Sequence, residues 1–128
     1  MIWLNTAVVL AIHDAQVAEH GGAAGVRDPA ALESALARPQ NLQAAPDLAA
    51  LAAAAYAFGI ARNHAFVDGN KRTSYVAAIA FLELNGAMLA ADPADRVRIW
   101  TDLGAGTLSE PDLAAWLRGR IEKAPKPQ

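Results

Sequence analysis

The sequence contains no cysteine, which excludes a disulfide framework, a zinc–thiolate site and a thiol nucleophile, and makes a reducing cytoplasm the expected location. Neither sign of charge dominates: 11 basic residues face 13 acidic ones, for a formal net charge of -2. Bulk charge therefore gives no reason to expect nucleic-acid coating. No apolar run is long enough to span a bilayer. The stretch "MIWLNTAVVLAIHDAQ" comes nearest, but no basic region precedes it, and His13 and Asp14 interrupt it. A soluble protein with no membrane contact is expected. Two nucleotide and hydrolase patterns are missing as well, the phosphate-binding G-x-x-x-x-G-K-[ST] and the G-x-S-x-G elbow. The tryptophans at 3, 100 and 116 read as core or interface residues.

What the chain does have is length and apolar content for a single core: 128 residues, 54% of them hydrophobic. One domain over residues 1–128 is expected, with residues 122–128 as a frayed tail. Alanine, the strongest helix former, supplies roughly a quarter of the chain, and alternating β-branched stretches are nearly absent. The fold class is all-α.

Helix boundaries are marked by capping residues. Asn5 or Thr6 opens a first helix with Val8, Val9, Ile12, Ala15 and Ala18 at helical spacing, ended by Gly21 and Gly22. Its other face, with His13, Gln16 and His20, reads as solvated. The loop "GGAAGVRD" leads to Asp28–Pro29, an N-cap followed by proline at the first helical position, and that helix stops before Pro39. Asp47 opens a small-residue-rich helix with Leu48, Leu51, Tyr56, Phe58 and Ile60 as packing positions. "TSYVAAIAFLELNG" is apolar on almost every side, so it is expected at the centre of the domain. Asp92–Pro93 starts a further helix that ends at the glycines 104 and 106. Ser109 with Asp112 caps the last one.

Between the two central helices lies "NHAFVDGNKRT", where polar chemistry is concentrated. A helix amino terminus presents unpaired N–H groups and a partial positive charge. Lys71, Arg72 and the close backbone approach that Gly69 permits would add to it an anion pocket, with phosphate as the natural occupant. His64 supplies a proton acceptor and Asp68 a hard oxygen ligand beside that pocket. Together they suit phosphoryl or nucleotidyl transfer. Each residue also has a purely structural reading. His64 and Asp68 could pair to order the loop, Asp68–Gly69 is a turn signal in its own right, Asn70 reads as the N-cap, and Phe66 as a core anchor. Lys71 and Arg72 fit that reading least, because the macrodipole disfavours cations at a helix amino end.

"HAFVDGNKRT" resembles the signature of the Fic/Doc superfamily, in particular its death-on-curing branch, H-x-F-x-[D/N]-[A/G]-N-K-R-T. "IHDAQ", "GGAAGVRDP", "ARNHAF" and "FLELNG" are similar to segments at corresponding places, so the resemblance covers nearly the whole chain. It implies a compact helical fold with the site between the motif loop and the central helix. It further implies His64 as general base on a target hydroxyl, Asp68 as the magnesium ligand, and Asn70 and Arg72 as phosphate ligands. Most Fic proteins have glycine where this chain has Lys71, and transfer AMP from ATP. A lysine there fills space and adds charge, so the triphosphate of ATP is expected to bind in a different orientation. The resemblance to the death-on-curing branch implies that this orientation is reversed, with the γ-phosphate near the acceptor, and that the activity is that of a protein kinase. The branch's target type is a threonine of elongation factor Tu. Self-inhibited Fic proteins carry [S/T]-x-x-x-E-[G/N], and none of Glu19, Glu33, Glu83, Glu110 or Glu122 fits it. Restraint by an antitoxin in trans is therefore expected, with the first helix and the Gly21–Asp28 loop as candidate contacts. The alternatives are nucleotidyl transfer, a catalytically silent nucleotide- or partner-binding regulator, and a nucleic-acid module leaning on Lys71, Arg72, Arg118, Arg120, Lys123 and Lys126.

Overall fold

The computed structural model describes residues 1–42 and 48–125, and among these the chain is all-α apart from one small two-stranded ribbon. The helices are α1 (Thr6–His20), α2 (Pro29–Ala37), α3 (Leu48–Asn63), α4 (Asn70–Leu84), α5 (Pro93–Ala105) and α6 (Glu110–Arg118), with a short 3-10 turn at Arg38–Leu42. The caps fall where the sequence places them. Asn5 accepts from the Val8 N–H, Asp28 from Ala31 with Pro29 behind it, and Ser109 from Asp112. Gly106, at φ 80°, closes α5 in the left-handed conformation that glycine adopts without cost. Asp47 lies outside the described residues, as does the side chain of Leu48.

Burial departs from expectation in three places, each with a physical cause. The helix enclosed on nearly every side is α3. Ala50, Ala52 to Ala57, Ile60 and Ala61 are buried there, because alanines let α2, α4, α5 and α6 approach it closely. At Gly59 the approach is closest: a Cβ would stand 3.2 Å from the Cβ of Ala35 on α2. Helix α4 packs against α1, α3, α5 and the ribbon and buries Thr73, Ser74, Ala77, Ala78, Phe81 and Leu82, but its Tyr75–Val76 side stays partly open. The apolar stripe of α1 is turned as well. Val8, Ala15 and Ala18 are exposed while Val9 and His13 are buried, since α1 lies over α4 and the motif loop.

The third departure is at the carboxy end. Instead of fraying from residue 122, the chain forms β2 (Ile121–Lys123), antiparallel to β1 (Ala87–Leu89), and the Ala124 N–H reaches the Gly86 carbonyl. The last described residues thus close over the end of α4. Residues 126–128 lie outside the description. Among the described residues, no helix is long and apolar enough to cross a membrane.

Trp100 joins the helices around the site. Its indole N–H donates to the Ser74 hydroxyl at 3.1 Å, and its ring meets Tyr75 and Trp116 edge-on. Arg96 on α5 in turn donates to the Tyr75 hydroxyl and to the Leu89 and Ala91 carbonyls. These bonds fix α5 against the amino-terminal half of α4.

Candidate active site

The loop from His64 to Gly69 joins the end of α3 to the start of α4 and is held from three directions. Its first residue, His64, is the one non-glycine residue with positive φ, 51°, among the described residues. Arg27 Nη2 donates to the His64 carbonyl at 2.7 Å. The backbone N–H groups of Arg27 and Asp28 both donate to Ala65 O, and Val67 N donates to Gly25 O at 3.1 Å, so "GGAAGVRD" and the motif loop pair across a Val26–Phe66 bridge. From inside, Asn70 turns back on the loop: its Oδ1 accepts the Phe66 N–H and its Nδ2 donates to the Phe66 carbonyl, each at 3.1 Å. Phe66 itself is 1% exposed and anchors the loop to the core, as its apolar type suggested.

Two sequence expectations are corrected here. Asn70 is not the N-cap. Gly69 occupies that position at φ 75°, with no side-chain cap bond, and the Asn70 amide is spent on Phe66. The amino end of α4 is therefore left without a side-chain acceptor. The second correction concerns His13, whose expected solvated position is in fact 1% exposed. Its ring stacks on Phe66 at 3.9 Å with an interplanar angle of 7°, and its Nε2 lies 2.7 Å from the Asp68 carbonyl oxygen. The signal was present: His13 follows the buried Val9 by four residues, which puts both on one helical face. Gln16 and His20, further along that side, border the open cavities described next.

A cavity of about 410 Å³ opens between the end of α1 and the start of α4, lined by His20, Gly21, Gly22 and residues 67–72. It brings together Asp68, Gly69, Asn70, Lys71 and Arg72. His64 is not among the lining residues; it stands exposed at the beginning of the same loop. The Asp68 carboxylate is oriented by backbone donors, Oδ1 accepting from Gly69 N at 2.8 Å and Oδ2 from Ala23 N at 3.3 Å. Gly22 makes room for it, since a Cβ there would meet Oδ2 at 2.6 Å. Arg72 Nη2 donates to the Gly21 carbonyl at 3.0 Å, while its Nε is buried with no hydrogen-bond partner. The uncapped helix end and this orphaned donor thus leave N–H groups without acceptors at the start of α4. Lys71 lays its aliphatic stem across the bare Cα of Gly104, which a Cβ would bring to 3.1 Å from Lys71 Cδ. That seat lies in the last turn of α5.

These residues fit a phosphate-bearing ligand and a hard cation together. Among the described residues no group of three or more His, Cys, Asp or Glu could hold a metal ion. A magnesium ion at Asp68 would thus draw its remaining ligands from phosphate oxygens and water, its usual arrangement in phosphoryl-transfer sites. A second, apolar cleft of about 760 Å³ adjoins the first. It shares His20, Lys71 and Arg72 with it and continues over Tyr75, Val76, Val97 and Trp100.

The chain is a helical domain whose motif loop feeds an uncapped helix start carrying Lys71 and Arg72 beside the fixed Asp68 carboxylate. The chain belongs to the Fic/DOC family, whose model matches residues 3–82. It is similar to Toxin Doc of Mycolicibacterium smegmatis, 51% identical over 76 residues that cover 56% of this chain and 58% of that toxin. It is also similar to Protein kinase doc of Escherichia phage P1, 32% identical over 112 residues, or 86% of this chain and 88% of the phage protein. The match to the mycobacterial toxin thus spans little more than half of that protein, whereas the match to the phage protein spans nearly all of it.

Proposed function

We propose that this protein is the toxin of a toxin–antitoxin pair and acts as a protein kinase, moving the γ-phosphate of ATP to a hydroxyl of a translation factor. The observation that carries the reading is the conjunction around one cavity of Arg72, whose Nε has no partner, with Lys71 and the fixed Asp68 carboxylate. The names of the two relatives, a toxin and a protein kinase, agree with it.

In this reading Arg72 and the first N–H groups of α4 bind the transferring phosphate, and Lys71 neutralises charge as it moves toward the leaving group. Asp68 would hold a magnesium ion, which would supply neutralisation of the phosphate charge. The acceptor hydroxyl approaches from the exposed side of the loop, where His64 takes its proton as the oxygen bonds to the γ-phosphorus. The bond from that phosphorus to the β–γ bridging oxygen breaks, and ADP leaves. The side chain of Asn70 holds the loop through Phe66, and its second amide N–H is left to donate to a phosphate oxygen. Elongation factor Tu is the proposed acceptor on the strength of the motif's resemblance to the death-on-curing branch. A cognate antitoxin would restrain the enzyme in trans. The apolar cleft over Tyr75, Val76, Val97 and Trp100 has the character needed to take an amphipathic segment, and it abuts Lys71 and Arg72.

The test is the fate of label from ATP carrying it on the γ- or on the α-phosphate, incubated with magnesium and purified elongation factor Tu. Transfer from γ-labelled ATP alone supports the kinase. Transfer from α-labelled ATP would assign nucleotidyl transfer instead.

A further inference from the structure

We propose that His13 is a positioning residue, a clamp on the Asp68–Gly69 peptide that keeps the Asp68 carboxylate turned toward the cavity and the amino end of α4 open. The inference rests on the phosphate-site reading above for its consequence, but not for its geometry. A carbonyl oxygen only accepts, so the 2.7 Å contact to Asp68 O requires the proton on His13 Nε2. The ring cannot easily turn away. It is 1% exposed and lies flat against Phe66, and a Cβ on Gly69 would stand at 3.7 Å from its Cδ2 and Nε2. The ring's other nitrogen lies 4.0 Å from the exposed Asp14 carboxylate.

The gripped peptide is one whose orientation matters twice. Its carbonyl accepts the hydrogen bond from His13 Nε2, while its N–H, that of Gly69, donates to Asp68 Oδ1 at 2.8 Å. Gly69 then turns the chain at φ 75°, and its own carbonyl accepts the first amide bond of α4, from Thr73 N at 3.0 Å. Glycine reaches other backbone conformations at little cost, so this peptide is free to rotate unless something outside the loop holds it. On the carbonyl side His13 is the group that does so. Rotation would remove the Gly69 N–H from the carboxylate and leave Asp68 oriented by Ala23 alone.

A residue that merely fills space under the loop would be replaced well by another ring, and the clamp would not. His13→Phe keeps the stacking surface and loses the donor. His13→Gln loses the ring but carries an N–H to nearly the same place. Amide hydrogen exchange on the full chain is expected to rise about tenfold at Gly69 in His13→Phe, the effect of losing one hydrogen bond, with α3 amides unchanged. In His13→Gln it stays near wild type. The magnesium concentration for half-maximal phosphoryl transfer follows the same order, higher in His13→Phe and recovered in His13→Gln. Unchanged exchange at Gly69 in His13→Phe, or a His13→Gln variant that behaves like it, overturns the clamp. Imidazole nitrogen shifts of the wild-type protein give a test independent of any variant: a proton on Nε2 agrees with the clamp, and a proton on Nδ1 alone refutes it. Because exchange and tautomer are read without substrate, a chain that transferred no phosphate would still decide the role of His13.

Discussion

Gly22→Ala separates the orientation of Asp68 from the stability of the fold. At φ 110° an alanine pays the cost of a left-handed backbone, about 1–2 kcal/mol. Its Cβ would also arrive 2.6 Å from Asp68 Oδ2, so the carboxylate must retreat by most of an ångström and give up its bond from Ala23 N. Losing that exposed bond adds about 0.5–1.5 kcal/mol at most. A displacement of this size at a reacting group costs about a hundredfold in rate. Gly86→Ala is the matched control. It has φ 75° and nothing within 4 Å of its Cβ, and it lies in the turn between α4 and β1. Urea unfolding of both variants should show similar losses of stability, while phosphoryl transfer in saturating magnesium and ATP falls only in Gly22→Ala. Equal activity in the two variants would refute the assignment of Asp68 to the reaction.

Further outcomes follow from single contacts. Gly59→Ala pushes against the backbone of α2 at Ala35 and should destabilise by about 1–3 kcal/mol in urea titrations, with no change in magnesium dependence. Ser74→Ala leaves the buried Trp100 N–H unsatisfied, at about 1–3 kcal/mol, which thermal unfolding would read. Tyr56 gives a pH dependence. Its hydroxyl accepts the Leu4 N–H at 2.9 Å, and burial raises its pKa above the ordinary 10.0. The folded state holds the phenolic proton more tightly than the unfolded one, so this contribution is fully present below pH 10 and is lost as pH rises toward the higher folded value. Alkaline unfolding of wild type should therefore steepen above that pH, and in Tyr56→Phe this component should vanish.

The features legible in the sequence were those whose partners are near in the chain. Asn5, Asp28–Pro29 and Ser109 cap helices because their acceptors and donors lie within one turn. The gathering of Asp68, Gly69, Lys71 and Arg72 around one cavity was legible for the same reason, since they are neighbours in the chain at a helix start. What the sequence did not disclose depends on distant neighbours. His13 is buried because Phe66 and Asp68 lie beneath it, and its bond to Asp68 spans 55 positions. Once the loop covers that face, the apolar-looking Val8, Ala15 and Ala18 are left outside. The pairing of Ile121–Lys123 with Ala87–Leu89 likewise depends on where α6 delivers the chain. Apolar composition alone could not say whether α3 or α4 would be enclosed, because the alanines of α3 bury almost completely only when other helices surround them.

The central claim is tested most directly by the intact mass of purified elongation factor Tu after incubation with the protein, ATP and magnesium, beside a His64→Ala variant. A gain of one phosphate that disappears with His64→Ala is expected. A gain of one AMP would contradict the kinase, and no gain in either sample would contradict elongation factor Tu as the acceptor.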